Sequence, residues 1–261
     1  MSLDEKLINE IERLVQEIKK ENDIKNEIIR DDVFSILQAL NCIVLYYPLE
    51  DEEIDGCHIK KPINDQMEQF VFINSNNTRE RQAFIAAHEL GHIWEVDKRL
   101  KNKFPDEIFN AEEVVNRFAA ELLMPRRIFQ EAMANQLKKM NYAGPSIKIA
   151  EMIKLIAYLM NYFFVPFKSV VYRLNEIGKL DEKYNDIILE FKDSDFLKEL
   201  IKTEQYTRLG ITNKLRSMDN LPELLLEAEK RKIFNANKLK NIRNDFDIKH
   251  IDESFNEDVE F

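Results

Sequence analysis

The chain has 261 residues, 44% of them hydrophobic, and 48 acidic against 38 basic side chains give a formal net charge of −10. That length and apolar content suffice for one large domain or two small ones, while the acidic balance disfavours direct binding to nucleic acid, whose phosphates need a basic surface. Two cysteines, Cys42 and Cys57, with no Cys-x-x-Cys pair, no signal peptide and no apolar run long enough to span a bilayer, point to free thiols, a reducing cytoplasm and no membrane role.

Near the start, Leu7, Ile11, Leu14 and Ile18 alternate four- and three-residue steps among charges. This predicts an amphipathic helix packed on its own domain. A helix near Val33–Leu40 should lead into a strand at Cys42–Tyr47, where β-branched and aromatic residues precede Pro48. The acidic stretch Glu50–Asp55 with Gly56 reads as a solvated turn. His58 follows as a loop histidine, structural or exposed unless it lies at a cleft mouth. There it would join a tyrosine or an arginine as a candidate for stabilising an oxyanion. Phe70-Val71-Phe72-Ile73 predicts a strand, with Asn74 to Asn77 as the turn into the next helix. An edge position for that strand would leave backbone groups free to pair with an extended peptide.

The next segment carries the chemistry. Phe84, Ala87, His88, Gly91 and His92 recur at helical intervals, with Thr78 or Asn77 available to cap the start. His88 and His92 stand four apart, one turn above the other on one face, so two imidazole nitrogens can aim at one point. A catalytic zinc takes three protein ligands and leaves a fourth position for water. Glu89, beside that position, is the candidate general base. Residues 97–111, polar and basic, are predicted to be the loop to a second helix, over Glu112 to Met124, where Val115, Phe118, Ala119, Leu122 and Leu123 keep helical spacing until Pro125. Glu112 opens this helix and offers a third ligand. Asn116, one turn on, is placed to hydrogen-bond the outer nitrogen of a ligand histidine. Glu113, about 100° around the helix, is the rival ligand.

Beyond Pro125 the pattern is almost wholly helical. Ser146–Phe163 and Phe167–Ile177 predict a helix pair around Val165-Pro166, read as packing helices because their basic residues are sparse and offset by Glu151 and Glu176. Composition becomes more charged after Gly178. This suggests a boundary near 180, with 1–180 as one domain (core about 33–130, helix pair 146–177) and 181–261 as a helical C-terminal extension. Residues 221–243 again show helical spacing and a basic stretch from Lys230 to Arg243, while the tail Ile251–Phe261 is expected to be mobile.

Thr78, Arg81, Phe84, His88-Glu89-Leu90-Gly91-His92, Glu112, Asn116 and Phe118-Ala119-Ala120-Glu121-Leu122-Leu123-Met124-Pro125 together resemble the ImmA/IrrE family of metallo-endopeptidases. Weaker similarity extends over Val165–Gly178 and Leu221–Leu239. Ala83 stands where the family often has a basic residue, and Val115 replaces the usual Ala before Asn116; neither is a candidate ligand. The resemblance implies an α+β, mainly helical zincin-like fold with a small sheet beside two metal-bearing helices. It also implies zinc held by His88, His92 and Glu112, in preference to Glu113. The implied activity is that of a cytosolic endopeptidase that cleaves, or otherwise inactivates, a helix-turn-helix transcriptional repressor in a bacterial or mobile-element stress response. The competing reading is a non-catalytic zinc-containing regulatory protein that binds a repressor or nucleic acid. Glu89 favours the enzyme, since a structural zinc site has no need of a base.

Overall fold

The computed structural model of the chain describes residues 4–51, 53–63, 66–142, 144 and 146–248. The segment Ile251–Phe261 lies outside the described residues. An N-terminal helix α1 (Glu5–Glu21) starts at Asp4, whose side chain accepts a hydrogen bond from Leu7 N, and buries Leu7, Ile11, Leu14, Val15 and Ile18. It packs on its own domain, as its pattern predicts. A short helix α2 (Val33–Ala39) leads into strand β1 (Cys42–Tyr47).

The sheet has four strands in the order β2-β3-β1-β4, with β2 at Gly56–Ile63, β3 at Gln66–Asn74 and β4 at Ser217–Met218. β3 is parallel to β1 and antiparallel to β2, with Val71 opposite Val44 on one side and His58 on the other. The predicted edge position of Phe70–Ile73 is therefore overturned, because this segment is paired on both sides. β2 takes the edge instead. Its Lys60-Lys61-Pro62 run hides it from a hydrophobicity pattern, yet charges and a proline that donates no hydrogen bond are what an edge strand uses against unplanned pairing. His58 likewise sits in a strand, not a loop. Alternation along the sheet puts Cys42, Val44, Val71 and Ile73 on the inner, buried face, together with Gly56, His58 and Lys60 of β2.

The acidic turn before β2 is more fixed than a solvated turn. Asn74 Nδ2 donates to the carbonyls of Leu49 and Ile54, and its Oδ1 accepts from Leu49 N. Asp55 meets Arg81 at 2.8 Å. The two cysteines are free. Cys42 lies on β1 and Cys57 on β2, with β3 between them, and two strand spacings of roughly 4.8 Å exceed the reach of a disulfide.

Against the inner face lies α3 (Arg79–Ile93), followed by α4 (Val96–Lys103) and α5 (Ala111–Leu123). The expected loop at 97–111 is thus half helix. Val96 and Leu100, four apart, are fully buried, and the basic residues around them occupy the exposed side. Helices α6 (Arg126–Lys139), α7 (Ile149–Phe163) and α8 (Phe167–Glu176) complete the main core, α7 and α8 meeting at 107° around Val165-Pro166. Arg173 of α8 has no exposed side-chain surface; it meets Glu121 at 3.0 Å and Glu176 at 3.0 Å, and Arg117 joins the same carboxylates.

Helices α9 (Asn185–Leu189) and α10 (Asp195–Thr203) add Ile188 and Leu197 to the main core, which runs on to Leu209. Residues 210–215 then cross the start of α3. Gly210 N donates to Glu80, and Arg79 N donates to the Ile211 carbonyl. The pair α11 (Leu221–Lys230) and α12 (Ala236–Asp245) forms a second small cluster around Leu221, Leu225, Ala228 and Leu239. Among the described residues, no single helix is long and apolar enough to cross a membrane.

Candidate metal centre

The first metal-bearing helix begins at Thr78, in extended conformation at the N-cap position. Its side chain makes no capping hydrogen bond; Gln82 instead reaches back and donates from Nε2 to the Asn77 carbonyl at 2.8 Å. Asn77 and Arg81 both hold Asp55, so the start of α3 is tied to the segment that opens β2. The second helix has a conventional start. The Asn110 side chain accepts from the backbone N–H groups of Glu112 and Glu113 at 2.8 and 3.3 Å, and both carboxylates sit in the first turn, where the helix dipole favours negative charge.

The two helices cross at Gly91. A methyl group there would lie 2.8 Å from Val115 Cγ1 and 3.3 Å from Phe118 Cδ1, so only glycine allows this approach. Val115, the residue that departs from the family pattern, fills the space facing that glycine.

Close crossing brings the candidate ligands together. His88 Nε2 and His92 Nε2 are 3.1 Å apart, and the Glu112 carboxylate lies 3.2 Å from the first and 3.5 Å from the second. A tetrahedral zinc with bonds of about 2.0–2.1 Å has ligand atoms separated by about 3.3–3.4 Å. The three donors already stand at that spacing, and two imidazoles with one carboxylate form a known catalytic zinc set. Glu113 is not part of this cluster. Asn116 Oδ1 lies 3.0 Å from His88 Nδ1 and accepts its proton, which leaves the Nε2 lone pair free for a metal. Burial and the neighbouring His92 lower the pKa of His88, which favours the neutral ligand form.

Glu89, the residue between the ligands, points into the same cavity and is almost fully buried. Desolvation, with a smaller contribution from the negative charge of Glu112, raises its pKa from 4.5 to about 7. A carboxyl near neutrality can both take and return a proton at cellular pH.

The cavity has a volume of about 570 Å3. Glu112 and the helix carrying His88, Glu89 and His92 form one side, and β2 forms the other through Gly56, His58 and Lys60. Sequence reasoning missed this wall as a unit. The available signal was the alternation Gly56, His58, Lys60, but it was obscured by the exposed residues between. A methyl group on Gly56 would lie 2.5 Å from Ile85 Cγ2, 2.8 Å from the Phe72 carbonyl oxygen and 3.3 Å from Glu89 Oε1. The edge strand thus comes against α3 where it lacks a side chain. Neither a tyrosine nor an arginine lines the cavity among the described residues.

The sequence pattern of the Peptidase M78 family, described as an IrrE N-terminal-like domain, matches residues 37–175. That span contains the sheet wall, both metal-bearing helices and most of α8. Among solved structures, a Mycobacterium tuberculosis transcriptional regulator is similar over 64% of this chain and 46% of its own, at 15% identity and a TM-score of 0.43. The chain thus spans less than half of that protein. No curated protein matches the chain.

Proposed function

The chain belongs to the ImmA/IrrE family of metallopeptidases, and from that premise we propose that it is a zinc-dependent endopeptidase acting on a protein substrate in the cytoplasm. The convergence of His88, His92 and Glu112 at tetrahedral spacing, with Glu89 buried beside them, carries the reading. Zinc held by these three would polarise the scissile carbonyl and acidify the attacking water. The remaining work falls to the chain. Asn116 fixes the His88 tautomer through Nδ1. A Glu89 carboxylate oxygen takes the proton from the attacking water and then gives it to the leaving amine. Ile85 and the close approach of Gly56 wall that carboxyl off from bulk water.

Edge strand β2 supplies the means of holding a peptide. Its free side adjoins the cavity, so an extended segment can pair with it and lay its carbonyl across the metal centre. Such a site cuts extended or locally unfolded chain and spares stable helices. We infer that the substrate is a helix-turn-helix repressor presenting a linker, which makes the enzyme selective and not digestive. The test is incubation of the zinc-loaded protein with a helix-turn-helix repressor, comparing wild type with Glu89→Gln and locating the cut by mass spectrometry. Cleavage by wild type alone, in an extended segment, is the expected result. Tight repressor binding without cleavage by either protein would favour a non-catalytic regulator, and a cut inside a stable helix would remove strand pairing.

A further inference from the structure

The peptidase reading leaves the oxyanion that forms on the scissile carbonyl oxygen without a donor from the protein. Apart from the candidate ligands His88 and His92, the described residues lining the cavity that have cationic or ring N–H donors are His58, Lys60 and Lys98. Lys98 is exposed and tied to Glu95 at 2.8 Å. Lys60 lies a further two residues along the edge strand, about 7 Å beyond His58. His58 alone is both half-buried and held, its Nε2 lying 3.2 Å from Gln69 Oε1 on the neighbouring strand.

Strand geometry aims the ring. Gly56 and His58 are two apart and share the inner face of β2, and the position of a Gly56 side chain falls 3.3 Å from Glu89 Oε1. The next side chain on that face, His58, lines the same cavity as Glu89 and the paired imidazoles of His88 and His92. Gln69 is an amide that can turn either way. In the structure its oxygen lies toward Nε2; a half-turn would set its NH2 group against Nε2 and leave the ring proton on Nδ1, the nitrogen that Gln69 does not hold.

We propose that His58, positioned by Gln69, is a catalytic residue that donates a hydrogen bond from Nδ1 to the developing oxyanion. This assignment rests on the peptidase reading, and Gln69 acts only through His58. A set of unstructured fluorogenic decapeptides identifies a peptide that the zinc-loaded full chain cuts, and a phosphinic analogue of that peptide mimics the tetrahedral state. His58→Ala should lower kcat by about 10²–10³, the usual loss for one oxyanion donor, with KM changed less than threefold and zinc content unchanged. Gln69→Leu should lower kcat about tenfold in the wild-type background and have no further effect beside His58→Ala. Two binding measurements need no turnover. His58→Ala should weaken the phosphinic analogue by about 10²-fold, yet leave binding of the uncut peptide to Glu89→Gln protein within threefold.

A kcat within threefold of wild type, a raised KM at constant kcat, or loss of zinc from His58→Ala would each overturn the assignment while leaving the peptidase reading intact. Cleavage of none of the peptides by wild type, or equal cleavage by Glu89→Gln, would overturn the peptidase reading and the assignment with it.

Discussion

Replacing the candidate general base should stabilise the metal-free protein at alkaline pH. Burial and the charge of Glu112 raise the Glu89 pKa from 4.5 to about 7 in the folded chain. Between those values the folded state holds a proton that the unfolded state has released, so stability falls as pH rises through the window and levels off above about 7. At about 1.4 kcal/mol per tenfold, the full effect is about 3 kcal/mol. Glutamine has nearly the same shape and no charge to bury. Glu89→Gln and wild type should therefore unfold with similar free energies near pH 4.5, and the variant should be the more stable by about 3 kcal/mol at pH 8. Urea unfolding of chelator-treated proteins at both pH values measures this, and the difference between variants cancels the titrating groups that do not interact with Glu89. A wild type that gained stability relative to Glu89→Gln between pH 5 and 8, or a difference under about 0.5 kcal/mol at pH 8, would refute burial as the cause of the raised pKa.

Four further outcomes are expected. One zinc per chain should be found by elemental analysis of protein purified without chelator; His92→Ala and Glu112→Ala should lose it, and Glu113→Ala should keep it. Asn116→Ala removes the 3.0 Å contact to His88 Nδ1, and competition with a metal indicator should read zinc affinity about 10–100-fold weaker. Gly91→Ala places a methyl group against Val115 and should cost about 1–3 kcal/mol in unfolding free energy; Val115→Ala should restore much of it, which a double-mutant cycle measures. Glu121→Ala removes one of the two carboxylates that hold the fully buried Arg173, Glu176 remaining at 3.0 Å, and thermal or urea unfolding should register a loss of about 1.5–3 kcal/mol.

Helical periodicity is a local property, and it was legible wherever one face is buried. Leu7 to Ile18 and Val115 to Leu123 repeat at the spacing that the folded helices bury, whereas α3 is buried almost all round and Phe84, His88 and His92 mark its half-buried side. Local spacing also named His88, Glu89 and His92, because two ligands four apart on a helix need no other element to share a direction. Glu112 and Asn116 followed from the same rule on the second helix, aided by family resemblance. Strand Cys42–Tyr47 was readable from its β-branched and aromatic residues.

Strand order was not local. The segment Phe70–Ile73 announces a strand, but whether it is an edge depends on a partner whose own sequence, Lys60-Lys61-Pro62, is shaped by solvent on its free side. Helix Val96–Lys103 was hidden because a single pair of apolar residues, Val96 and Leu100, buries it among basic neighbours. Docking of residues 210–219 onto α3 and β1 joins groups more than a hundred positions apart, through backbone pairing and single side-chain bonds such as Gly210 N to Glu80 and Val44 N to Asp219, which follow no local spacing. Sequence by itself determined the candidate metal ligands and the candidate base on the first helix, since ligand chemistry and helical pitch are fixed by residue type and spacing. Only the tertiary structure decided that β2 walls the cavity and how strongly Glu89 is desolvated, because both arise when Gly56 lets one chain segment press against another.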